Sequence, residues 1–153
     1  MSYTITVETV TPRLLAAVNR RVRPGSVGAA FSSVQDEVWA FLRDNPGLRT
    51  DGHNVFYYNH TGANSEGMDV HFGVEVTRRF APSGNVACIE TPGGRAATLV
   101  HRGAYTGLDA AHAALRDWFR ASGERMGAWS LEIYGDWYED VSQLETTIVY
   151  ALA

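Results

Sequence analysis

Two five-residue runs decide how this chain folds: Val55-Phe56-Tyr57-Tyr58-Asn59 and Leu131-Glu132-Ile133-Tyr134-Gly135. In a strand, successive side chains alternate between the two faces of a sheet. Each run is followed, at one common spacing, by a second strand-like segment: Met68-Asp69-Val70-His71-Phe72 after the first and Leu144-Glu145-Thr146-Thr147-Ile148 after the second. Thr61 to Gly67 carries turn chemistry, which makes the first pair a hairpin. The shared spacing gives both hairpins one register.

Ahead of each hairpin lies a helical pattern. Val27, Ala30, Phe31, Val34, Val38, Phe41 and Leu42 recur at helical spacing up to Asn45-Pro46-Gly47, and Leu108, Ala111, Leu115, Trp118 and Phe119 do so up to Gly123. Gln35, Asp36, Glu37 and Arg43 are expected to face water, and Thr106, three residues before Asp109, is expected to cap the second helix. Extended stretches lead into both helices: Tyr3 to Glu8 and Leu14 to Val22, ended by a turn at Pro24-Gly25, then Val86 to Glu90 and Arg95 to His101. The order strand, helix, strand, strand thus occurs twice. This predicts an α+β domain over residues 1–153, built from duplicated βαββ units (about 1–79 and 84–153) with a mainly antiparallel sheet and two helices.

Two such units packed about a pseudo-twofold axis would leave a groove there. Equivalent residues are expected to converge in it: Tyr58 with Tyr134, Phe56 with Glu132, Asp69 with Glu145, and His71 with Thr147. Val70, Phe72, Ile133 and Ile148 are expected to face the helices instead. Aromatic walls with a few carboxylates suit an apolar or cationic small molecule, because ring faces attract cations and a desolvated carboxylate supplies counter-charge. Trp39, Trp137 and Tyr105 are further candidates for the groove wall, each also open to a purely structural reading.

Composition removes several alternatives. All 13 basic residues are Arg, so a P-loop lysine, a Schiff-base lysine and a Ser-Lys dyad are excluded, and no cofactor is expected. The formal charge of −4 opposes a phosphate-tracking surface, and no direct nucleic-acid binding is expected. Cys88 is the single cysteine and cannot form an internal disulfide. No apolar stretch approaches the roughly 20 residues of a membrane span, so a cytoplasmic protein is expected. His53, His60 and His71 are too irregularly spaced to suggest a metal site.

The run His101-Arg102-Gly103-Ala104-Tyr105-Thr106-Gly107-Leu108, with Ala114-Leu115-Arg116-Asp117-Trp118, Glu132-Ile133-Tyr134 and the closing Leu144 to Leu152 strand, resembles the GyrI-like small-molecule-binding domain. This is the effector-binding domain of multidrug-responsive transcription activators. The resemblance implies a duplicated βαββ fold whose central cleft meets hydrophobic, often cationic, ligands through a glutamate on the last strand. Thr147 stands where the family places that acid, and Glu145 is the nearest carboxylate on the same strand face.

Three functions follow as expectations. The leading one is a stand-alone small-molecule binder without a DNA-binding segment of its own. The second is a hydrolase of strained, cyclopropane-bearing electrophiles, with Glu132 and Glu145 as an acid/base pair and Tyr134 or Tyr58 as proton donor. The third is a protein-interaction module that modulates a larger enzyme such as gyrase.

Overall fold

The computed structural model describes residues 3–23 and 25–153, and of residues 49–52 the backbone alone. Pro24 of the expected Pro24-Gly25 turn lies outside the described residues. In chain order the elements are β1 (Thr6–Val10), β2 (Leu14–Val22), α1 (Val27–Asp44), β3 (Arg49–Asn64), β4 (Gly67–Val76), β5 (Ala87–Glu90), β6 (Gly94–Arg102), α2 (Leu108–Ser122), β7 (Met126–Tyr134) and β8 (Glu145–Leu152). The α+β reading and the two helices are borne out.

The strands form one sheet in the order β1-β6-β8-β7-β3-β4-β2-β5. This order is a palindrome. Exchanging β1 with β5, β2 with β6, β3 with β7 and β4 with β8 returns it reversed, which is the mark of a duplicated unit about a twofold axis. The shared hairpin register is also present: Tyr57 pairs with His71 in the first half and Ile133 with Thr147 in the second. The leading strands are exchanged between the halves, because β1 pairs with β6 while β5 pairs with β2.

That exchange curls the sheet. Val10 ends β1 and Leu14 begins β2, yet six strand spacings separate these strands in the ladder. A flat sheet would hold them about 29 Å apart, and the four peptide steps from Val10 to Leu14 reach only about 14 Å. The sheet therefore bends until its edges approach. There the two connections lie against each other: Arg13 N–H donates to the Thr91 hydroxyl at 2.9 Å, and Thr91 N–H donates to the Arg13 carbonyl at 2.9 Å. The inside of the curl is filled without any helix, by the buried side chains Leu15, Ala17, Val55, Ala96, Leu131 and Val149.

Both helices pack on the outer face. Val34, Val38 and Leu42 of α1 meet Val18, Phe56, Val70 and Phe72, while Ala111, Leu115 and Phe119 of α2 meet Ala97, Leu99, Ile148 and Tyr150. Gln35 corrects an expectation: it is buried, and its amide donates to Asn54 Oδ1 at 2.8 Å and to the Gly73 carbonyl at 3.0 Å. Thr106 does not cap α2, because Tyr105–Gly107 form a 3-10 turn and Gly107 takes the cap position with no side-chain bond. Gly123 closes α2 in the left-handed conformation, as expected.

Candidate functional site

Phe56 of β3 pairs directly with Glu132 of β7. These two are also equivalent positions of the repeat, and equivalents face one another only where the pseudo-twofold axis passes between them. The axis therefore runs through a phenylalanine and a glutamate. Tyr58 and Tyr134, two residues further along each strand, flank it symmetrically on the outer face between the helices.

Glu132 is 6% exposed. Removing a carboxylate from water costs several kcal/mol unless donors replace the lost hydration. Three side chains do so. The Tyr58 and Tyr134 hydroxyls both donate to Oε1, the latter at 3.0 Å, and His112 Nε2 lies 2.7 Å from Oε2. Burial pushes the Glu132 carboxyl up, but the hydrogen bonds from His112, Tyr58 and Tyr134, together with the charge that His112 can carry, outweigh it and hold the group below its ordinary range. Glu132 is thus a carboxylate at neutral pH. Burial, followed by the charge on Glu132, pushes the phenols of Tyr58 and Tyr134 up, so both stay protonated donors.

Around this charge the walls are aromatic. The rings of Phe56 and Tyr134 meet edge to face at 5.0 Å, and Tyr105, in the turn entering α2, meets Tyr134 at 5.5 Å and 88°. Phe31 of α1 lies 5.3 Å from Phe56. Phe31 and Tyr105 are 36% and 40% exposed, the one against Phe56 and the other against Tyr134. Beneath, His112 Nδ1 lies 2.6 Å from the Tyr150 hydroxyl. His112 and Tyr150 were not among the residues expected here. One signal was available: His112 lies on the apolar stripe of α2, between Leu108 and Leu115, where a titratable side chain needs a buried partner.

Of the expected site residues, the structure brings together Phe56, Tyr58, Glu132, Tyr134 and Tyr105. It separates Asp69, His71, Glu145 and Thr147 from them. Side chains directly opposite in an antiparallel pair share a face, and Glu132 pairs with Ile148, so Ile148 and Tyr150 share its face while Thr147 and Glu145 point to the other. Ile133 likewise turns inward, against Leu131 and Val149, rather than toward the helices.

Asp69 and Glu145 remain equivalent, but as half-exposed ion pairs: Arg21–Asp69 at 3.6 Å and Arg102–Glu145 at 3.8 Å. His71 stacks on Tyr57 at 5.0 Å. Trp39 donates its indole N–H to Asn54 Oδ1 at 3.1 Å and packs on the first core. Trp137 is 73% exposed, which does not fit a lid over the groove. Glu132 and Glu145 lie on opposite faces of the sheet and cannot serve one reacting atom as acid and base. Among the described residues no cluster of His, Cys, Asp and Glu suits a metal ion, and no helix is long and apolar enough to cross a membrane.

A duplicated α+β fold with one ionised carboxylate on its axis, walled by aromatic rings, defines a small-molecule-binding domain. Residues 3–152 match the GyrI-like small molecule binding domain family, and the chain belongs to it. In this chain the carboxylate that meets the aromatic rings is Glu132 on β7, whereas Glu145 of the last strand pairs with Arg102. Solved structures share the fold. The EcmrR C-terminal domain is similar at 23% identity and a TM-score of 0.81, over 100% of this chain and 99% of that one. EcmrR in a cryo-EM structure of its DNA complex is similar at 22% and 0.78, over 98% of this chain and 57% of that one. SAV2435, solved bound to tetraphenylphosphonium, is similar at 9% and 0.73, over 100% and 94%. At these identities the likeness establishes the fold. No curated protein matches the sequence.

Proposed function

We propose that this domain binds a lipophilic, aromatic monocation in the groove between α1 and α2, in the cytoplasm and without contacting nucleic acid itself. One observation carries the reading: Glu132 is a buried carboxylate on the axis, hydrogen-bonded by His112, Tyr58 and Tyr134 and enclosed by aromatic rings. A negative charge in a low-dielectric aromatic setting attracts a delocalised cation far more strongly than water-exposed acids do. The edge-to-face rings of Tyr105, Tyr134 and Phe56 offer the flat faces such a ligand requires. Tetraphenylphosphonium, bound by the fold relative SAV2435, is the natural probe. Glu132→Gln should weaken tetraphenylphosphonium binding about tenfold or more, roughly 1.4 kcal/mol, while changing the affinity of neutral triphenylphosphine oxide by no more than about threefold, as read by tryptophan quenching or calorimetry. Equal losses for both probes would remove the counter-charge from the account. The expected acid/base pair is weaker on this geometry, since Glu132 and Glu145 lie on opposite faces of the sheet.

A further inference from the structure

The carboxylate of Glu132 is shared between two kinds of partner. Oε1 takes two neutral phenols, whereas Oε2 takes His112, the one group in the site able to acquire a positive charge near neutral pH. We propose that His112 is a built-in competitor for the ligand's charge, so that its protonation neutralises Glu132 and turns the groove from cation-selective to indifferent. The inference rests on the cation-binding reading above and names the regulation of that same site.

The geometry specifies both states. In the neutral ring Nε2–H donates to Glu132 Oε2 at 2.7 Å, and Nδ1 accepts from the Tyr150 hydroxyl at 2.6 Å. Every polar atom of the ring is then satisfied and the imidazole leaves the charge of Glu132 uncancelled. On protonation Nδ1 becomes a donor, and the Tyr150 oxygen accepts from it without any movement of the ring. Facing the imidazole are Glu132 from β7, Tyr150 from β8 and, one turn along α2 beside Tyr150, Arg116. Tyr58 of β3 and Tyr134 of β7 reach it only through the carboxylate. Burial pushes the Tyr150 phenol up, opposed by the Arg116 guanidinium, so the hydroxyl keeps its hydrogen through the relevant range. Glu132 itself is held below the ordinary carboxylate range, so the carboxylate that the imidazole faces keeps its charge in mild acid.

A fixed positive charge 2.7 Å from the carboxylate cancels most of its field at ligand distance. Affinity for a permanent cation should fall as the imidazole is protonated, and affinity for a neutral analogue should not. Tetraphenylphosphonium binding to the whole protein, titrated by calorimetry, should weaken about tenfold from about pH 8 to about pH 5, with triphenylphosphine oxide constant throughout. His112→Gln, whose amide retains a donor for Oε2 and gains no charge, should bind the cation with nearly the same affinity at both ends.

By linkage the wild-type protein should also release protons on taking up the cation near the middle of this window, visible as a binding enthalpy that depends on the buffer's ionisation heat. This second measurement needs no variant, so the proposal is tested even if His112→Gln fails to fold. A pH-independent wild type with no proton release overturns the proposal and leaves the cation-binding reading intact. So does an equal acid loss in wild type and variant, because it assigns the titration to another group. Absence of cation binding at every pH removes both.

Discussion

Gly107 is the residue whose substitution most directly probes how the site is held. A Cβ at this position would lie 2.8 Å from His101 Cε1 and 3.1 Å from its Nε2. Carbon contacts are comfortable from about 3.5 Å, so the ring would need to retreat by about 0.7 Å. It has nowhere to go. His101 is 3% exposed, accepts the Tyr3 hydroxyl at Nδ1 at 2.9 Å, and donates from Nε2 to the Ala104 carbonyl at 2.9 Å. Displacing the ring lengthens one or both bonds, at about 1 kcal/mol each. Overpacking of the surrounding core adds about 1–3 kcal/mol. Gly107→Ala should therefore cost about 2–4 kcal/mol and lower the melting temperature of a domain this size by about 5–15 °C in differential scanning calorimetry.

The control is a double-mutant cycle with His101→Ala. That change is itself destabilising, since it leaves the Tyr3 hydroxyl and the Ala104 carbonyl without their partner. It also removes the obstacle, so adding Gly107→Ala to it should change stability by no more than about 0.5 kcal/mol, a coupling of about 1.5 kcal/mol or more. Simple additivity would refute the reasoning, for it would mean that the glycine is not there for the ring. Gly103, earlier in the same run, has a different reason: its φ of 122° is a conformation that side chains avoid. Between these two glycines sits Tyr105, whose edge meets Tyr134 at the groove. Gly107→Ala should thus weaken tetraphenylphosphonium binding even where the fold survives.

Four further outcomes follow from the carboxylate cluster and its surroundings. Tyr58→Phe and Tyr134→Phe each remove one donor from Glu132 Oε1, and urea unfolding should show a loss of about 1.5–3 kcal/mol for each, as for hydrogen bonds to charged groups. Because the Glu132 carboxyl is depressed in the folded state, its stabilisation is present above the ordinary carboxylate range and lost as pH falls through the lower folded value; Glu132→Gln should lack that acid limb in a stability–pH profile. The raised phenols of Tyr58 and Tyr134 work the other way, stabilising below about pH 10 and losing this as pH rises further, so either Phe variant should flatten the alkaline limb. Glu145→Gln, which breaks only a half-exposed pair at 3.8 Å, should cost less than about 1 kcal/mol and leave cation affinity unchanged.

The fold was legible because its signals are local and repeated. Hairpin spacing, two amphipathic stripes and a left-handed stop at Gly123 survive in any tertiary context, and the match of the two halves supplied the topology. The acid was harder to place. Along one strand the alternation says that Glu145 and Thr147 share a face, but not which face carries the helices; that depends on the β7–β8 register, which sets Glu132 against Ile148. Ile148 was expected on the helix side from its own strand, and joining that to the register moves the acid to Glu132. Gln35 was misplaced for a related reason: a polar residue on a helix is expected in water unless the sheet offers it partners, here Asn54 and the Gly73 carbonyl.

The asymmetry at the axis has a physical origin. Duplication places equivalent residues face to face there, so an unmodified repeat would have carried either two aromatics or two acids at positions 56 and 132. Two phenylalanines would supply walls and no counter-charge. Two glutamates in direct cross-strand contact could not both ionise in a buried setting, and one would be held protonated. One acid and one phenylalanine resolve the conflict: a single carboxylate, with the tyrosines of both halves still converging on it from symmetric positions. Exchanging the two residues, Phe56→Glu with Glu132→Phe, keeps the composition of the axis but moves the acid from the strand beside His112's partner β8 to β3. The tyrosine donors are related by the axis and would be retained; His112 belongs to the second half alone and would not. The exchanged protein should therefore still prefer tetraphenylphosphonium to triphenylphosphine oxide, while its cation affinity no longer follows pH. A full return of the acid response in that protein would show that the pseudo-symmetry, and not the particular placement of His112, governs the site.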